Sequence, residues 1–97
     1  MRPVRMRTII EEHRFVQELE QIVFGGPLRA DEFVDGAKWL LCREPESGTQ
    51  ISTSYVWFLP MREQPGILPV VLYYAFDDDY VNFLSIQETI YPPPDEA

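Results

Sequence analysis

Residues 68–76 read Leu-Pro-Val-Val-Leu-Tyr-Tyr-Ala-Phe and carry no charge. A strand with one wet face alternates apolar and polar side chains. Here Leu68, Val70, Leu72, Tyr74 and Phe76 point one way, and Pro69, Val71, Tyr73 and Ala75 the other. Both faces are apolar, so both need cover. Tyr55 to Met61 behaves similarly: Tyr55, Trp57, Leu59 and Met61 lie on one side, Val56 and Phe58 opposite. With 97 residues in all, the chain has room for one small domain.

The remaining elements follow from turns and periodicity. Gln64-Pro65-Gly66 has Pro and Gly in type II turn order. Asp77-Asp78-Asp79 makes the next turn, and Tyr80 to Ile86 returns as a strand. Three strands joined by short turns form an antiparallel meander. Upstream, residues 4–10 alternate and then run β-branched, which predicts a first strand. Glu11 and Glu12 open a helix in which Phe15, Leu19, Ile22 and Val23 recur at helical spacing. Gly25-Gly26-Pro27 stops it. A second helix runs from Ala30 to Arg43, with Phe33, Val34, Ala37, Leu40 and Leu41 as its apolar stripe. Gly36 inside it costs ~1 kcal/mol relative to Ala. Pro45 ends the segment.

The expected fold is α+β in the order β-α-α-β-β-β, a two-helix hairpin packed on a small antiparallel sheet. Residues 1–90 form the domain, and 91–97 are a Pro-rich, acidic tail. Two helices cover one face of the sheet. The other is left to loop 44–54 and the tail as a lid, to a second copy in a homodimer, or to a different chain. Tyr55, Trp57, Val71 and Tyr73 are the candidate partner-binding residues.

Charge narrows the function. Eight basic and sixteen acidic residues give a net −8. Residues 1–30 carry +1, residues 31–97 carry −9, and no Lys or Arg follows Arg62. Duplex nucleic acid is held mainly by Lys and Arg on phosphates, so autonomous DNA binding is not expected. No apolar run approaches the ~20 residues of a membrane-spanning helix, and no polybasic helix suits a membrane surface. The N-terminal Met-Arg-Pro-Val-Arg-Met-Arg lacks the apolar core of a signal peptide. The single Cys42 cannot form an internal disulfide, which fits a cytoplasmic setting. Zinc spacings, phosphate loops and nucleophile elbows are missing, so neither cofactor nor metal is expected.

Three stretches carry a family resemblance. Thr8-Ile9-Ile10-Glu11 runs into Phe15, Glu44-Pro45-Glu46-Ser47-Gly48 follows the second helix, and Pro69 to Asp77 leads into Val81 and Leu84. Over about residues 6–90 the chain resembles the RelE/ParE toxin superfamily of type II toxin–antitoxin systems, closest to its HigB-like branch. The resemblance implies either mRNA cleavage on the ribosome or poisoning of DNA gyrase. It also implies an antitoxin partner that wraps the toxin and would cover the exposed sheet face.

The chain departs from the pattern in its charges. HigB-like relatives carry a Gly-rich, basic stretch where this chain has Thr49 to Tyr55, without glycine or charge. RelE-like relatives keep basic residues near the last strand's end, where this chain has Gln87-Glu88-Thr89. RNA cleavage needs cations on the phosphate and a general base for the 2′-hydroxyl. The expectation is therefore a toxin-like protein that acts by protein–protein contact or is catalytically degenerate. A ribosome-dependent mRNA endoribonuclease and a non-toxic oligomerisation module are the alternatives.

Four residues could serve catalysis. Arg62, between two strands, could bind phosphate, or be a solvated turn charge. Arg43 could assist it, or simply favour the dipole at the second helix's end. Tyr91 stands roughly where RelE-like relatives keep a catalytic Tyr, or marks the domain's end. His13 could move protons near neutral pH, or be an inert surface side chain. Asp77-Asp78-Asp79 reads as a hairpin turn rather than a Mg2+ site, since adjacent carboxylates on a tight turn do not converge. Tyr55 and Trp57 could stack on bases but suit a core or partner contact better.

Overall fold

A computed structural model describes residues 6–24, 30–61 and 70–88. The chain forms β1 (Thr8–Glu11), α1 (His13–Phe24) and α2 (Ala30–Leu41), then a single 3-10 turn, Pro45–Ser47. Four strands follow: β2 (Thr49–Gln50), β3 (Trp57–Pro60), β4 (Val70–Phe76) and β5 (Tyr80–Glu88). The fold is α+β in the expected order, with the two-residue β2 added.

The sheet order is β1-β5-β4-β3-β2. Strands β3 to β5 form the expected antiparallel meander and β2 extends it beside β3, while the expected Gln64-Pro65-Gly66 turn lies outside the described residues. Strand β1 makes the sheet mixed, because it pairs parallel with β5. A parallel pair needs a long crossover, and the helices supply it. Pairing puts Ile9 level with Val81, so both reach the helix-side core. Strand β1 starts only at Thr8, because the Arg7 N–H is taken by the Cys42 carbonyl at 2.8 Å.

The core lies between the helices and one sheet face. Phe15 and Ile22 from α1 and Val34, Ala37 and Leu41 from α2 meet Val70, Leu72, Tyr74, Val81, Phe83 and Ile86. Phe15 packs edge-on against Phe83, ring centroids 5.3 Å apart. Trp57, Leu59 and Met61 pack against the same cluster. Between Tyr73 and Tyr74 the pairing with β5 shifts, leaving Leu84 as the extra residue of a bulge.

Strand β1 is shorter than β5 and leaves part of its edge open. Helix α1 closes it with a side chain. The Glu18 carboxylate accepts the Ser85 hydroxyl at 2.6 Å and the Ile86 N–H at 3.3 Å. An edge amide is thus satisfied without another strand.

Gly36 lies on the exposed side of α2, and a Cβ there would meet nothing within 4 Å. Gly36→Ala should therefore stabilise the domain by about 0.5–1 kcal/mol. Urea denaturation would show a higher midpoint at unchanged slope.

Candidate functional site

The expected site residues do not gather in one place. Arg62 and Tyr91 lie outside the described residues. His13 is the exposed first residue of α1, just past the far end of β1. Arg43 follows α2 beside the start of β1, where Arg7 bonds to Cys42. The four residues of β1, at ~3.3 Å of rise each, put about 10 Å between its ends, and His13 and Arg43 lie beyond opposite ends.

The four expected partner contacts divide as well. Trp57 pairs with Tyr74 and faces the helices, its ring 5.3 Å from Phe76. Tyr73 pairs with Phe58 on the opposite face, which it shares with the nearly buried Val71. Tyr55 precedes β3 in a loop, 81% exposed. The alternation of β3 places Trp57 with the core, because Leu59 and Met61 on the same side already pack there.

The uncharged stretch Thr49–Tyr55 closes its own turn. The Ser54 hydroxyl donates to the Ile51 carbonyl at 2.7 Å and accepts the Val56 N–H at 3.2 Å. The Gln50 amide donates to the Ser54 carbonyl at 2.6 Å. Ser52 takes a positive φ of 50° to complete the bend.

What the structure does assemble is a cleft of about 450 Å3 between the chain entering β1 and the chain leaving α2. Arg7, Arg43, Glu44, Pro45, Glu46 and Ser47 line it. The Arg7 Nε donates to the Asp77 carbonyl at 2.6 Å, and its guanidinium lies 5.8 Å from the Phe76 ring centre. The Arg43 Nη1 donates to the Trp39 carbonyl at 2.8 Å, with its guanidinium 4.5 Å from the Trp39 ring centre. Two planar donor groups in one cleft can hold an oxyanion. Arg7 was legible only as a strand residue, because the partner that gives it meaning is 36 positions away.

Tyr74 fixes the cleft's wall from beneath. Its hydroxyl donates to the Pro45 carbonyl at 2.6 Å and accepts the Gly48 N–H at 3.1 Å. Burial raises its pKa above the ordinary 10.0, and the Gly48 N–H partly offsets this. Gly48 sits so close that a Cβ would lie 2.5 Å from both the Phe58 carbonyl and the Tyr74 hydroxyl. At the neighbouring hairpin, the Asp77 carboxylate accepts the N–H groups of Asp79 and Tyr80, each at 2.8 Å. Those amides, with a smaller contribution from Arg7, hold the Asp77 pKa below the ordinary aspartate value.

Comparison with family models, curated proteins and solved structures found no match to this chain.

Two outcomes follow from the local chemistry. Tyr74→Phe should cost about 1–3 kcal/mol in urea denaturation, because it strands the Pro45 carbonyl and the Gly48 N–H. Gly48→Ala should cost about 1–3 kcal/mol by overpacking. For Asp77, the folded carboxyl has the lowered pKa, so its stabilisation is whole above the unfolded value. It is lost as the pH falls through the lowered one. Asp77→Ala should remove this part of the acid dependence, read as the unfolding midpoint against pH.

Proposed function

We propose that this chain is a toxin-like protein of the RelE/ParE type that acts through contact with another protein rather than by cutting RNA. One observation carries the second half of that reading. Among the described residues, Arg14 pairs with Glu18 at 3.5 Å and Lys38 with Glu11 at 3.4 Å. Arg7 and Arg43 share their cleft with Glu44 and Glu46. In that cleft RNA meets two arginines beside two glutamates rather than a continuous basic surface, and the net −8 charge repels it further.

The toxin half rests on the sequence resemblance, and the observed β-α-α-β-β-β order is compatible with it. An antitoxin or a second copy is the natural partner, and the cytoplasm the natural setting. No helix among the described residues is long and apolar enough to cross a membrane.

Expression of the chain alone in bacteria tests the reading. The expected result is growth arrest with intact mRNA by primer extension, and arrest should persist in Arg62→Ala. Arrest with ribosome-dependent mRNA cuts, relieved by Arg62→Ala, would establish the endoribonuclease instead. Full tolerance of expression would leave only a non-toxic interaction module.

A further inference from the structure

We propose that the Arg7–Arg43 cleft is the docking point for a carboxylate of the protein partner, with an adjoining apolar side chain of that partner seated on Trp39. This rests on the protein-contact reading above and names the chemistry of its surface.

The cleft is prepared for such a group. The Cys42 carbonyl accepts the Arg7 N–H at 2.8 Å, which sets the two arginine-bearing segments side by side. Each guanidinium is anchored through part of its fork: Arg7 by Asp77, Arg43 by the Trp39 carbonyl and by the Cys42 sulfur at 3.3 Å. The Nη groups of Arg7, and the Nε and Nη2 of Arg43, have no hydrogen-bond acceptor among the described residues. Neither arginine lies within ion-pair distance of a described carboxylate, although Arg7 is near enough to Asp77 to help lower its pKa. Preorganised, planar donors with free N–H groups match a carboxylate bidentately and lose little entropy on binding.

The surroundings select among anions. Glu44 and Glu46 line the same cleft and oppose any anion, the more so the greater its charge, so a single carboxylate is opposed less than a chain of phosphates. Trp39 is 64% exposed beside Arg43, although it is large and apolar. Trp and Arg together are the side chains that dominate protein interfaces. A peptide segment with an acidic residue next to an apolar one satisfies both.

The probe is a capped acetyl-Glu-Leu-amide peptide, titrated into the full chain. Nitrogen–proton NMR follows the side-chain signals of Arg7, Arg43 and Trp39. These three should shift saturably, and the same peptide with Gln for Glu should leave them still. Arg7→Gln/Arg43→Gln should weaken binding about tenfold or more. Arg7→Lys/Arg43→Lys keeps the charge and the fold but loses the fork, and should weaken it as well; Trp39→Ala should remove the apolar share. Absence of saturable shifts overturns the proposal, as does tighter binding of a short RNA at the same signals. The two readings fail separately. Saturable peptide binding by a chain that cuts mRNA keeps the cleft and removes the protein-contact function. Growth arrest without mRNA cleavage, undiminished in the double Gln variant and with no peptide shifts, keeps the function and removes the cleft.

Discussion

The Tyr74 hydroxyl is the polar group on which the surrounding architecture turns. It sits in the central strand β4, with its ring in the core and its oxygen between the Pro45 carbonyl and the Gly48 amide. An apolar residue at that position would fill the same volume and leave two backbone groups unsatisfied. A larger residue at 48 would push the 3-10 turn off the strand. The bond thus ties a surface loop to the middle of the sheet. It also holds the wall of the Arg7–Arg43 cleft at a set distance from β1.

A second constraint is the unequal length of β1 and β5. A long strand beside a short one exposes amides that invite another chain. Glu18 answers this by capping Ile86 and Ser85 from the helix. Its other oxygen pairs with Arg14. One carboxylate therefore joins the helix layer to the sheet edge. The charge spent there is one that could otherwise have offered Arg14 to a ligand.

Most of the fold was legible in the pattern of residues. Pro45 follows the second helix, and the Asp77–Asp79 turn joins β4 to β5, because Pro and Asp act through local backbone geometry. The parallel pairing of β1 with β5 was not legible, since register between distant strands is set by which apolar faces meet. The candidate site was legible only in part. Arg43 reads from the sequence as a cation at a helix end, but its surroundings are set by Arg7, Trp39 and Glu44. His13 has acid–base chemistry by type, yet the length of β1 separates it from Arg43. Trp57 reads as a partner contact until the β3 alternation turns it inward.

The sequence by itself determined the element order, the apolar central strand and the scarcity of cations, because periodicity, turn chemistry and charge are properties of the chain. Only the tertiary structure decided where the cations among the described residues go. Arg14 and Lys38 are paired within the fold, while Arg7 and Arg43 are brought to one cleft with free donors. That division rests on long-range hydrogen bonds, the Arg7 N–H to the Cys42 carbonyl and the Tyr74 hydroxyl to the Pro45 carbonyl, whose partners no local pattern specifies.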